Sequence, residues 1–292
     1  MRSSGSAWFL RLPVLGLMIA FMVLPMALAV VYSFMTAAPY GGVEGPATIA
    51  SYRQVIMQQD FDGTYFLSPA YLIIIGRSLL LALATVVICV AVGLPVAWYI
   101  ACATPSHRAK LLLLVTLPFW INTLIRTYCW VLILRDEGLV NQSLRKLGII
   151  SGSIRFLYND GAILLGMVYT FLPFMVLPIY AVLERVNGEI IEASHDLYAD
   201  RLTTFRRMVW PLARPGVIAG SMLVFAPALG SFLAPDLLGG GKRLMVGSLI
   251  QLQFTSARNW PFGSALATLI SAAVLLALVL FVRKNIEKVM GR

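Results

Sequence analysis

Long apolar runs separated by short polar connections dominate this chain. A helix needs about 20 apolar residues to cross a hydrocarbon core of ~30 Å. Runs of that kind predict spans near residues 12–34, 72–100, 111–134, 161–183, 215–235 and 263–282. Pro118 and Arg126 interrupt the third run, and Pro227 lies in the fifth. Pro is tolerated in such helices where neighbours re-satisfy the freed backbone groups. The first run, with Arg2 and Arg11 before it and Ala27-Leu28-Ala29 within it, imitates a secretory signal. It is too long for one, because the apolar part of a signal peptide usually spans about 7–15 residues.

The polar connections then set the orientation. With six spans, placing both termini in the cytoplasm puts Arg108, Arg201, Arg206, Arg207, Arg214, Arg283, Lys284 and Lys288 on the inner side and leaves fewer basic residues outside. Positive charge marks the cytoplasmic loops, so both ends are expected there. The outer connections, residues 35–70, 135–160 and 236–262, are long and rich in Gly, Pro and Asn, with room for short amphipathic pieces that receive a soluble partner. No separate soluble domain and no internal repeat is visible. The whole of 1–292 reads as one transmembrane domain, with its longest inner connection at about 184–214.

Composition agrees. Of 292 residues, 59% are hydrophobic and 12% charged, with mean hydropathy +0.84. A soluble domain carries about twice that share of charge. The bilayer, with its lipid, must be the solvent of this chain. Its net charge of +10 is spread between apolar runs rather than gathered in a block, so it serves orientation and not nucleic-acid binding. Cys89, Cys102 and Cys129 are odd in number, lack CxxC spacing and read as small hydrophobes.

Enzymatic chemistry is missing. There is no HExxH, GxSxG or cluster of metal-ligating residues. Gly239-Gly240-Gly241-Lys242 imitates a phosphate loop, but Arg243 stands where Ser or Thr would hold magnesium and Asp236 where the first Gly belongs. Acidic residues are also absent from the middle of every span, where ion-coupled carriers usually place them. No cofactor is expected on this chain, and the energy for pumping must come from a partner.

The connection 184–214 is the most informative stretch. Asn187-Gly188 signals a turn, and Glu189 and Glu192 fall in the first turn of a following helix, where the dipole favours acids. Ile190, Ala193 and Leu197 share one face. A second short helix near 203–210 sets Phe205, Met208 and Val209 opposite Arg206 and Arg207, and Pro211 breaks it before the next span. Two amphipathic helices beneath a membrane bundle have apolar faces for a cytosolic partner to bury.

Glu192-Ala193-Ser194, with Pro211 nineteen residues after Glu192, resembles the EAA loop of permease subunits of binding-protein-dependent ABC importers. Departures are Ser194 for the second Ala, Tyr198 for a Gly, and Met208 and Trp210 for an aliphatic pair. Tyr does not readily adopt positive φ, which leaves Asp200 as the other candidate for the turn. Further stretches resemble spermidine/putrescine permeases: Pro118-Phe119-Trp120 with Asn122, Arg126 and Tyr128; Leu172-Pro173-Phe174 through Tyr180; Asp236-Leu237-Leu238-Gly239-Gly240; and Trp260-Pro261-Phe262-Gly263. They run in order along nearly the whole chain.

The resemblance implies an all-α type I ABC importer permease (MetI-like) fold with about six transmembrane helices in a bacterial inner membrane. It implies a periplasmic solute-binding protein that delivers a polyamine, and a second permease subunit, usually in a heterodimer. It also implies a cytosolic ABC ATPase dimer that holds ATP and Mg. Glu192 would anchor the coupling loop, and Phe205 and Arg206 would touch the ATPase. Other small solutes, such as an oxyanion, a metal chelate or an amino-acid derivative, and a self-sufficient secondary carrier are the alternatives.

Pathway candidates are fewer. Arg126 either stands near the pathway, oriented by Asn122 and Tyr128, or is a structural Arg bonded to backbone carbonyls or to a partner subunit. Asp236 either attracts cations at the outer mouth or closes a helix end. Trp120, Tyr128, Trp130 and Trp260 either stack on an alkylammonium or anchor the membrane interface. Gly216 and Gly220 have the GxxxG spacing of close helix packing, which also arises by chance.

Overall fold

The computed structural model describes residues 4–59, 65–185, 198 and 200–290. The helices among them are α1 (Ser4–Ser33), α2 (Ala50–Gln54), α3 (Ala70–Cys102), α4 (Pro105–Thr116), α5 (Thr123–Leu134), α6 (Leu139–Lys146), α7 (Asp160–Leu183), α8 (Arg201–Thr204), α9 (Trp210–Leu229), α10 (Leu233–Leu237), α11 (Val246–Thr255) and α12 (Trp260–Met290). Two small antiparallel hairpins, β1 (Thr36–Ala37) with β2 (Val43–Glu44) and β3 (Met57–Gln59) with β4 (Tyr65–Leu67), lie in the connection between α1 and α3.

Four expected spans coincide with apolar stretches of α1, α3, α7 and α12, and the other two differ. The third is not one straight helix. From Pro105 the chain runs through α4 and a 3₁₀ turn at Leu117–Trp120, then restarts as α5; the two segments meet at 93°. Pro118 starts the tight turn, Ile121 is extended (φ −97°, ψ 133°), and the Asn122 side chain accepts from Leu124 N–H at 2.8 Å to open the new helix. The described residues hold five helices long and apolar enough to cross a membrane, or six if the bent pair is one span.

The fifth span begins earlier than residue 215 and ends before 235. Its apolar stretch runs Phe205–Leu229, and α10 is a separate short helix beyond Gly230. Pro211 does not break the helix. Residues Phe205–Val209 form a π-turn whose last bond runs from Trp210 N–H to the Phe205 carbonyl, and this shift of the backbone ladder accommodates the missing N–H of Pro211, so the helix continues into α9.

The chain divides into two compact units, Met1–Ile73 with Leu249–Arg292, and Ile74–Ser248. In the first, α1, α2 and β1 pack on α12. Most large side chains of α1 stay exposed, Phe21 at 75% and Leu24 at 61%, which suits a helix bathed in lipid.

In the second unit α7 is the core. Ile163, Met167, Phe171, Met175, Ile179 and Leu183 recur every fourth residue, form one stripe and are all buried. Lipid is as apolar as Leu, so close packing rather than apolar burial holds such helices together. Small residues make it possible. A Cβ on Gly216 would sit 2.7 Å from Ile179 Cα and from the Pro178 carbonyl, and one on Gly220 2.7 Å from Met175 Sδ. The GxxxG pair is therefore the seam between α7 and α9. Gly93 of α3 approaches Met175 in the same way.

Candidate functional site

Two regions of the second unit carry the residues singled out from the sequence. The first is the C-terminal end of α7, where the connection 184–214 begins. Glu192 and Ala193 lie outside the described residues. Tyr198 is described: its φ is 55°, so it takes the left-handed turn despite its side chain, which is 98% exposed. Asp200 does not supply that turn. It begins α8, its Oδ1 accepting from Thr203 N–H at 3.2 Å and its carbonyl from Thr204 N–H at 2.9 Å. Beyond it Val209 is buried, Phe205 half-buried, and Arg206, Arg207, Met208 and Pro211 exposed.

An unexpected clamp lies beside the loop. Arg108 in the first turn of α4 donates to the carbonyls of Ala101 (2.8 Å) and Ala103 (3.3 Å) at the end of α3. Its other terminal nitrogen reaches Glu184 Oε1 at 3.2 Å, just past the end of α7. One guanidinium thus joins three helix ends where the connection 184–214 begins. No local pattern predicts this pair, because 76 residues separate its members.

The second region is a cavity of ≈ 370 Å³ between α5, α7 and the turn that joins α9 to α10. Phe119, Phe171, Phe174 and Phe232 form aromatic walls, and Thr123, Thr127, Thr170 and Ser231 add polar atoms. Phe119 and Phe174 meet edge to face at 4.7 Å. Arg126 also lines the cavity and is only 6% exposed. Its Nη2 donates to Thr123 Oγ1 at 2.9 Å, and its Cζ lies 6.0 Å from the centre of the Tyr169 ring. Nε and Nη1 are buried without an acceptor.

The pathway candidates are only partly brought together. Asn122 caps α5, and its side chain does not hold Arg126; Thr123 and Tyr169 do. The i, i+3 spacing of Thr123 and Arg126 was the available signal for the first contact. Tyr128 is 52% exposed. Asp236 is exposed on α10 and does not line the cavity. Trp260 opens α12 in the other unit, where its ring lies 6.4 Å from that of Phe254.

At the N-terminal end of α7, Asp160 pairs with Arg77 of α3 and with Arg243 at 3.3 Å. Arg77 also donates to the Leu244 carbonyl at 3.3 Å. Asn141, fully buried, exchanges hydrogen bonds with the Ile154 backbone at 2.9 Å in both directions and so pins the connection between α5 and α7 that carries α6. Sequence reading missed both. No groups able to hold a metal ion occur among the described residues.

Long apolar helices packed on a glycine seam, with a bent third span, define a polytopic membrane protein. Residues 73–292 match the family described as "Binding-protein-dependent transport system inner membrane component", and the chain belongs to that family. It is 38% identical over 275 residues to the spermidine/putrescine transport system permease protein PotB of Haemophilus influenzae, covering 94% of this chain and 92% of that protein. Its identity to the protein of the same name from Escherichia coli K12 is 36% over 279 residues, 96% of this chain and 97% of the other. Among solved structures it resembles a bacterial alginate ABC transporter in complex with an alginate pentasaccharide-bound periplasmic protein. The TM-score is 0.74 at 16% identity, over 94% of this chain and 91% of that one. The type I permease fold expected from the sequence is the fold observed.

Proposed function

We propose that this chain is one of two non-identical permease subunits of an ATP-driven importer that carries a polyamine, putrescine or spermidine, across the inner membrane. The collinear likeness to spermidine/putrescine permeases, over nearly the full length of both chains, carries this reading. A periplasmic binding protein delivers the cargo to the outer connections; the alginate transporter, solved with such a protein bound, supports that part of the assembly. Both termini lie in the cytoplasm, because the basic residues are concentrated on that side.

ATP and Mg are held by a separate ATPase dimer. Its closure reaches this chain through the 184–214 loop, with Glu192 as the polar anchor and Phe205 and Arg206 as contacts. The position of the Arg108–Glu184 clamp supports this, since any pull on the loop acts on the ends of α3, α4 and α7 together. Docking can shift the permease between states only through contacts that differ between them. No carboxylate lines the Arg126 cavity, so selection among polyamines rests with the binding protein.

The test is purification of the complex with its ATPase, wild type against Glu192→Arg, followed by uptake of labelled putrescine. Wild type should retain the ATPase, and the folded variant should lose at least about tenfold of it, as expected when a buried interfacial charge is reversed. A well-folded wild type that retains no ATPase would exclude the importer. ATPase retention without polyamine uptake by cells would instead exclude the cargo.

A further inference from the structure

Two charges of the second unit stand at the wrong ends of their own helices. Glu184 follows the last residue of α7, where the helix dipole disfavours an acid. Arg108 lies in the first turn of α4, where the dipole disfavours a base. Neither charge serves the helix that carries it, and each is answered across the fold instead. Pro105, four residues after Ala101, has no N–H to offer the Ala101 carbonyl at the end of α3. Arg108 supplies the missing donor at 2.8 Å, donates to the Ala103 carbonyl at 3.3 Å, and reaches Glu184 Oε1 at 3.2 Å.

The bonds to the α3 carbonyls explain Arg108 as a cap. They do not explain Glu184. An acid at the C-terminal end of α7 weakens that helix, and an ion pair whose side chains are 26% and 46% exposed returns little stability. Packing does not require the link either, since α7 meets α9 at the glycine seam and α3 at Gly93 and Met175. What the pair adds lies where the connection 184–214 begins. There it ties the first residue of that connection to the end of α3 and the start of α4 by a charge-assisted bond. A displacement of the connection reaches α7 and α9 through the covalent chain. It reaches the ends of α3 and α4 through Arg108.

We propose that Arg108 and Glu184 are positioning residues for energy coupling. The pair holds the start of the connection on α3 and α4, so that movement imposed by the ATPase is passed to these helices as well as to α7. Arg108 is the fixed member, held by two backbone carbonyls, and Glu184 is the member that moves with the connection. Without the pair, ATP is still hydrolysed, but less of the movement arrives at α3 and α4. This rests on the coupling-loop reading above.

The experiment uses the full complex in liposomes with its binding protein, and reads labelled putrescine taken up per ATP hydrolysed. Glu184→Met leaves the α3 cap intact and removes only the pair. It should lower the ratio by about threefold or more, within the range seen for residues on a coupling network. Its melting temperature and its retention of the ATPase should match wild type. Arg108→Met should lower the ratio at least as far, and the double variant no further, because both act through one contact. Glu184→Gln keeps a neutral acceptor for Arg108 and should fall between wild type and Glu184→Met; it also covers the case in which Glu184→Met does not fold. A wild-type ratio in the folded Glu184 variants overturns the proposal. So does a lowered melting temperature with the ratio unchanged, which would make the pair merely structural. A wild-type complex that couples no hydrolysis to uptake removes the importer reading itself, and the role of the pair with it.

Discussion

Along one helix, α7, two kinds of environment follow each other. From Met175 to Leu183 its buried stripe is sealed against α9, where Gly216 and Gly220 let the two backbones meet. From Met167 to Phe174 it lines a cavity in which an arginine has no counter-ion. The sealed stretch is made of large side chains opposite missing ones, and each finds its complement within the chain. The open stretch has a charge with no counter-ion among the described residues. The first is finished by packing between α7 and α9; the second is left open.

Several substitutions would break or sharpen this contrast. The largest effect is expected at the seam. Gly216→Leu puts a Cβ 2.7 Å from backbone atoms of α7 that cannot yield, and should cost about 3 kcal/mol or more, since overpacking against backbone lies at the upper end of such changes. Gly16→Leu is the control: nothing lies within 4 Å of its added Cβ. Expression and thermal unfolding in detergent should be abolished or sharply lowered in the first and unchanged in the second. Equal behaviour would mean that the seam is not a close contact.

Next in size is a paired comparison of two arginines. Arg77 is bonded to Asp160 and to the Leu244 carbonyl. With the side chains of Arg77 and Asp160 23% and 43% exposed, Arg77→Met should lower the stability of the isolated chain by about 1 kcal/mol after solvent screening. Arg126→Met should leave the same chain unchanged or more stable by about 1 kcal/mol, because it removes a buried charge without a partner. Melting of the two variant chains in detergent, each set against wild type, decides it. A lowered melting point for Arg126→Met alone would show that the chain already satisfies that charge.

The smallest effect concerns Tyr198. A residue with a Cβ in the left-handed region costs roughly 1 kcal/mol relative to its ordinary conformation, and Gly does not carry that cost. Tyr198→Gly should therefore slow proteolysis of the loop slightly or leave it unchanged, since the ring itself is exposed and packs on nothing. Faster cleavage would mean that the phenol contributes contacts of its own.

Much of this was legible beforehand. The long apolar stretches place α1, α3, α7 and α12, because the cost of unsatisfied backbone in lipid leaves a continuous helix as the only choice. The caps of α5 and α7, Asn122 and Asn159, were not legible: the sequence suggested only that Asn122 orients Arg126. The third and fifth spans were misjudged for one reason. A proline in an apolar run signals a disturbance without stating its size. Pro118 accompanies a 93° change of direction, whereas Pro211 is absorbed by a π-turn and Pro227 lies within a continuous helix. Neighbouring backbone decides such cases, and it is not local. Tyr198 was misjudged because a preference of about 1 kcal/mol is a weak constraint on a loop held at both ends.

The sequence by itself determined that this protein lives in a bilayer, spans it with helices, carries no chemistry of its own and belongs among binding-protein-dependent permeases. Those conclusions follow from hydropathy, from missing residue types and from ordered local motifs, all of which are short-range properties. Tertiary structure alone decided that Arg108 meets Glu184 and that Arg77 and Arg243 share Asp160. It alone showed that two glycines form a seam and that Arg126 is buried with its charge unanswered. Each of these depends on the distance between residues far apart in the chain, and that distance is fixed only when the helices pack.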